Sequence, residues 1–250
     1  GILTPDDPSN EDEVDEGGDT RDSYLAGADL SKANLTNTDF SDATLFDADL
    51  SGAELTNTDF FRAKLVAADL SGSNLSDSNP RDADLTEADL TKADLTEADL
   101  TGADLWNATL RDADLTDAFP IAADFFQADL TNADLTGATL SEADFTNADL
   151  SNAVLSKANA EGSTFIDAVL VAADLTDANL SDADLTGTDL TNTNPGDAHL
   201  SEADRSKTSP TNLAHSEQDG LQEVIPIENS KYNEKSKKKN IRKSSDDQIY

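Results

Sequence analysis

RDADLTEADLTKADLTEADLTGADLWNATLRDADL, residues 81–115, is a five-residue phrase written seven times. Taking Leu85 as the centre of a phrase, the residue two before is small, the residue one before is usually Asp or Asn, the residue after is Ser or Thr, and a variable polar residue follows. Working outward, the phrase holds its register from Leu25 to Leu200, giving 36 repeats with no insertion or deletion. Of the centres, 27 are Leu and 5 are Phe; the exceptions are Pro80, Pro120, Pro195 and Ala160. Every position two before a centre is Ala, Ser or Thr.

A period of five matches neither the 3.6 of a helix nor the 2 of a long strand. It matches a short extended piece followed by a turn, with one small and one large residue facing inward and polar residues closing the turn through their own side chains. Stacked coils then bury the apolar columns in a narrow core and pair their backbones about 4.8 Å apart.

These phrases, ADLTE, ADLTK, ADLTG and ANLSD, resemble the A(D/N)LXX motif of the pentapeptide-repeat family over about seven-tenths of the chain. The resemblance implies an all-β fold, a right-handed four-sided parallel β-helix in which four repeats make one 20-residue coil, here about nine coils. An independent feature agrees. Bulky rings in a narrow core favour a widening shared with the neighbouring coil. Phe40 and Phe60 lie 20 residues apart, as do Phe125, Phe145 and Phe165, whereas a 15-residue coil stacks none of the five on an immediate neighbour.

The ends read differently. Residues 1–20 carry eight acidic and no basic residues with interspersed Pro and Gly, the composition of a disordered acidic leader. The repeat domain is expected over 21–203. A C-terminal cap is expected within 204–228, using Leu213, Leu221, Val224, Ile225 and Ile227, because a solenoid end exposes an apolar cross-section. Residues 229–250 form a polar tail whose cluster Lys231, Lys235, Lys237, Lys238, Lys239, Arg242 and Lys243 contrasts with the rest. The chain opens on Gly1, which reads as a processed or trimmed start. No apolar run is long enough for a membrane-spanning helix, and a cytoplasmic location is the expectation.

There is no Cys, which removes disulfides, thiolate metal sites and cysteine nucleophiles together. His199 and His215 have no partner at metal-ligand spacing, and the many Ser and Thr occupy turn positions, so neither catalysis nor a cofactor is expected. The net charge is -35. Between Arg21 and Glu202 there are 36 acidic and 8 basic residues, a net of -28. Asp84, Asp104, Asp124 and Asp144 are expected in one column, and Asp29, Asp49, Asp69 and Asp89 in another. Neighbours about 5 Å apart repel by roughly 0.8 kcal/mol in water. The calcium-binding glycine-rich nonapeptide and EF-hand patterns are absent, so these columns suggest a diffuse cation atmosphere without discrete metal sites. Acidity and scarce Lys in the repeats suggest salt adaptation, a pattern from which the lysine-rich tail departs.

Apolar residues at outward positions single out a patch. Trp106, Phe119, Ile121 and Phe126 are its best members; on a 20-residue coil Phe46, Val66 and Ile166 share a face with Trp106 and Phe126, and Phe61 joins Ile121 at the adjacent corner. A three-sided coil would also align five of the eight outward residues that follow a centre, so this grouping takes its geometry from the family resemblance. Aromatic clusters mark interfaces. The expectation is a non-enzymatic acidic scaffold whose apolar stripe serves a protein partner or self-association as a homodimer, with no direct nucleic-acid binding by the repeats. The alternative implied by the resemblance is mimicry of DNA toward a type II topoisomerase, a DNA-binding enzyme; a diffusely cation-binding surface protein comes third.

Overall fold

The computed structural model describes residues 17–209. Within one repeat the backbone N–H groups go to different acceptors, and this accounting dictates the fold. In the repeat centred on Leu50, Ala48 N donates to Leu45 O at 3.1 Å and closes a turn. Asp49 N donates to Ala28 O in the preceding coil at 2.9 Å, while Leu50 N and Gly52 N donate to Asp69 O and Ser71 O in the following coil at 2.7 and 2.9 Å. The fifth, Ser51 N, donates to Asp49 Oδ1 at 2.9 Å. Asp or Asn one before the centre is therefore a turn cap, the role its short carbonyl-bearing side chain performs two residues along.

The turn imposes one further demand. The residue two after the centre takes a left-handed backbone, with φ between 52 and 63° wherever it is not glycine and lies in the regular register. Asp and Asn, which tolerate that region best, are frequent there. The coil containing Pro195 departs: Gly196, one position earlier, takes φ 45°. A Cβ there would stand 2.7 Å from Thr176 Cα, so only glycine fits.

Parallel bridges join each residue before a centre to the residue 20 positions on, as in Asp29 to Asp49 to Asp69 to Asp89. The chain is a right-handed four-sided parallel β-helix. Its four walls are named here by their first outward residues: Asp19, Tyr24, Asp29 and Asn34. The Asp19 wall has a gap. Pro80 and Pro120 have no N–H to give to Asp99 O and Thr139 O, so the bridges Asn79 to Asp99 and Phe119 to Thr139 do not form. Between them Asp99 to Phe119 is also absent among the described residues, although Leu100 does carry an N–H.

The core runs unbroken from Leu25 to Leu190, Leu and Phe centres facing the small residues. Phe125, Phe145 and Phe165 stack with centroids 4.7 and 4.9 Å apart, and Phe40 stacks on Phe60 at 5.3 Å, all within 7° of parallel. Buried hydroxyls find main-chain acceptors: Thr58 Oγ1 donates to Leu35 O, Ser163 Oγ to Leu140 O and Thr193 Oγ1 to Leu170 O. Ser78 Oγ, beside the gap at Pro80, is buried without a partner.

The first pairing comes earlier than the expected start of the repeat domain at Arg21. Asp19 bridges Asp39, and Gly17 N donates to Thr36 O at 2.9 Å. The expected cap residues Leu213, Leu221, Val224, Ile225 and Ile227, the basic cluster from Lys231 to Lys243, and His215 lie outside the described residues.

Candidate interaction face

The Tyr24 wall presents, in bridge order, Tyr24, Thr44, Lys64, Asp84, Asp104, Asp124 and Asp144. The corner leaving this wall carries Phe46, Val66, Trp106, Phe126 and Ile166, one residue after centres 45, 65, 105, 125 and 165. The corner entering it carries Phe61 and Ile121. One acidic column therefore runs between two corners bearing apolar side chains, and the second column, Asp29, Asp49, Asp69 and Asp89, occupies the next wall. Phe119 belongs to the preceding wall, two residues before Ile121.

Exposure is uneven along the corners. Trp106 and Phe119 are 40 and 43% exposed and Phe46 is 36%, whereas Phe61, Val66, Ile121, Phe126 and Ile166 are half-buried. Tyr24, at 69%, is the most exposed large apolar residue described, and it stands on the same wall as Asp84. Its distance from Asp84, a multiple of 20, marks that placement in the sequence, although the patch read from sequence alone omits it.

Local rules fail most completely in the repeat Ala118–Phe119–Pro120–Ile121–Ala122. Phe119 stands where Asp or Asn caps the turn, Pro120 where Leu donates to the next coil, and Ile121 where Ser or Thr faces water. The next repeat keeps its cap, Phe126 N donating to Asp124 Oδ1 at 2.8 Å, yet replaces the outward hydroxyl with a ring. Trp106 does the same one coil earlier, its N–H donating to Asp104 Oδ1 at 3.0 Å.

The charges respond to this setting. Among the described residues Asp124 is the one carboxylate pushed above its ordinary range: burial raises it most, the Phe126 N–H opposes, and the charges of Asp104 and Asp144 add to the rise. Elsewhere partners hold carboxylates down. Asp19 falls to about 2 through its bonds from Arg21. Asp129, raised by burial, is brought below its usual range by bonds from Arg111 and Thr131, with Arg111 Nε donating at 2.6 Å. On the N-terminal side of the face, the Arg62 guanidinium lies 4.7 Å from the Phe61 ring centroid.

Among the described residues no group of His, Asp and Glu could hold a metal ion, and no helix is long and apolar enough to cross a membrane. His199 is exposed on the Asp19 wall, bridged to Asn179.

A family model described as pentapeptide repeats matches residues 23–62, 63–102, 93–119, 123–159, 153–192 and 178–209. Among solved structures the chain is similar to HetL, a pentapeptide repeat protein involved in heterocyst differentiation regulation from the cyanobacterium Nostoc sp. Strain PCC 7120. The identity is 32% over 78% of this chain and 87% of HetL, with a TM-score of 0.77. Full-length QnrB1, a plasmid-mediated fluoroquinolone resistance protein, aligns at 23% identity over 77% of this chain and 94% of its own, with a TM-score of 0.32. A pentapeptide repeat protein of the Arabidopsis thaliana thylakoid lumen aligns at 34% identity over 41% and 68%, with a TM-score of 0.27. The comparison with curated proteins returned no match.

Proposed function

The chain belongs to the pentapeptide-repeat family, and we propose that it is a non-enzymatic scaffold that associates with a protein through the face bounded by Trp106, Phe119, Ile121 and Phe126. The observation that carries this reading is the repeat at Ala118–Ala122, which gives up a turn cap at Phe119 and a ladder hydrogen bond at Pro120 while placing Phe119 outside. Departures from local rules without a gain to the fold mark functional positions. Exposed aromatic side chains supply contact area at low entropic cost.

Restoring the rules separates fold from function. In the triple variant Trp106→Thr/Phe119→Asp/Phe126→Thr, the Phe119→Asp change returns the turn cap, worth about 0.5–1.5 kcal/mol per hydrogen bond. The variant is expected to melt no lower than wild type while losing association, read as pull-down of a partner or, were the partner a second copy, as a self-associated form in sedimentation velocity. Unchanged behaviour in both measurements would overturn the reading.

A second reading rests on charge density. A net of -28 over nine coils, roughly 40 Å at the sheet spacing, is one charge per about 1.5 Å. Duplex DNA carries one per about 1.7 Å. Mimicry of DNA toward a type II topoisomerase predicts inhibition of gyrase supercoiling, or protection from quinolones, at moderate salt; a null result there favours the scaffold.

A further inference from the structure

The apolar patch surrounds two carboxylates whose bonding is half complete. Asp104 Oδ1 accepts from Trp106 N and Asp124 Oδ1 from Phe126 N, while neither Oδ2 has a partner among the described residues. Some outward carboxylates are engaged by neighbouring coils: Asp59 accepts from Asn79 Nδ2 at 2.9 Å, Asp174 from Asn194 Nδ2 at 2.9 Å, and Asp129 from Arg111. Among the described residues Asp84, Asp94 and Asp144 share the open state of Asp104 and Asp124; what sets this pair apart is the apolar side chains at both of its edges. Trp106 and Phe126 stand at one edge of the Asp104–Asp124 pair and Ile121 at the other, with Phe119 around the corner. Of the cations on this wall and its corners, Arg21, Arg62, Lys64 and Arg81 lie on earlier coils and Arg205 and Lys207 on a later one, and none falls within 101–107 or 121–127.

From this arrangement we infer that the face receives an arginine-bearing segment of a partner protein, with apolar side chains flanking the arginine. The inference rests on the scaffold reading above and names the chemistry of its partner. Guanidinium is planar, bonds a carboxylate through paired N–H groups and stacks on aromatic rings, combining both groups that the face presents. The molecule itself makes each contact separately, Arg111 to Asp129 and Arg62 to the Phe61 ring. A second copy fits poorly. Two copies pairing symmetrically at this patch would bring Asp104 and Asp124 of one against the same carboxylates of the other, with no cation between them.

The single Trp of the chain makes the test direct. Full-length protein is titrated in 0.15 M salt with an amidated RLRLRLR peptide, following Trp106 emission, with RSRSRSR and KLKLKLK as controls. The expected result is saturable binding that weakens on the order of tenfold in Asp104→Asn/Asp124→Asn. The control Asp49→Asn/Asp69→Asn, which removes the same charge from the next wall, should change it by less than about twofold. Asn keeps the turn cap, as Asn74 Oδ1 does for Ser76 N at 3.0 Å, so all these variants are expected to fold.

Equal weakening by the two Asn pairs, or equal binding of RLRLRLR and RSRSRSR, would reduce the effect to the general acidic field and overturn the inference. Equal binding of KLKLKLK and RLRLRLR would overturn the choice of arginine. If the triple variant above abolishes partner pull-down while Asp104→Asn/Asp124→Asn leaves it intact, the scaffold reading stands and the arginine partner falls. Self-association that the peptide does not displace would place a second copy on the face instead.

Discussion

Asp124 is held in a setting that favours its neutral form, through burial and then the charges of Asp104 and Asp144. A carboxyl whose folded pKa lies above its unfolded value binds more protons in the folded state. Stability is therefore lost as pH rises from the ordinary Asp range through the raised folded pKa. Asp124→Asn cannot ionise and keeps the cap. Its melting temperature is expected to exceed wild type at pH 7, the gain disappearing once the pH falls below the ordinary Asp range; a gain of equal size at both ends would show a cause other than charge. Ser78 offers a second residue-scale test. Its buried hydroxyl lacks a partner, whereas Ala98 and Ala118 hold the corresponding small positions in the following coils. An unsatisfied buried group costs about 1–3 kcal/mol. Ser78→Ala should therefore stabilise by about 1 kcal/mol in urea unfolding, while Thr58→Ala, which removes a hydroxyl bonded to Leu35 O, should destabilise by a similar amount.

At the scale of the element, the Asp19 wall is the weak side of the coil stack because Pro80 and Pro120 interrupt its bridges. Pro120→Leu restores a ladder N–H and the commonest centre. The restored bond, about 0.5–1.5 kcal/mol, exceeds on balance the roughly 0.4–1 kcal/mol by which proline limits the unfolded chain. A modest net gain is expected, together with slower hydrogen exchange around Leu100; faster exchange there would show that the gap has another origin. The walls and centres were legible in the sequence because inward positions obey one steric rule repeated without a slip, and the Phe pairs 20 residues apart exposed the coil length. The outward positions were legible only as a list of exceptions. Asp49 is legible in sequence as one of the polar residues that close a turn with their side chains, but the particular donor it serves, Ser51 N, emerges only when every backbone donor has been followed to its acceptor. For the same reason Phe119 registered in sequence as one exposed ring among several. The cap it displaces and the ladder bond lost beside it at Pro120 appear once the coils are stacked.

For the whole molecule the dominant long-range term is repulsion among carboxylates, with a net of -28 across the repeats. The Debye length contracts from about 30 Å at 0.01 M salt to about 3 Å at 1 M, so distant pairs stop interacting. The melting temperature measured by circular dichroism is expected to rise over that range, and an unchanged melt would mean that the walls hold irrespective of their field. The mismatch between a five-residue unit and a twenty-residue coil has a consequence for how such a chain can change length. Removing one unit, for example residues 131–135, leaves a centre and a small residue at every inward site, yet turns everything downstream by a quarter revolution. Phe145 would then no longer lie over Phe125, and Ile166 would leave the edge shared with Trp106 and Phe126. Removing residues 131–150 restores phase. The molecule thus behaves as a combination lock with four settings: tolerant of any whole number of units in its interior, but able to align its outer face only when the shift is a multiple of four.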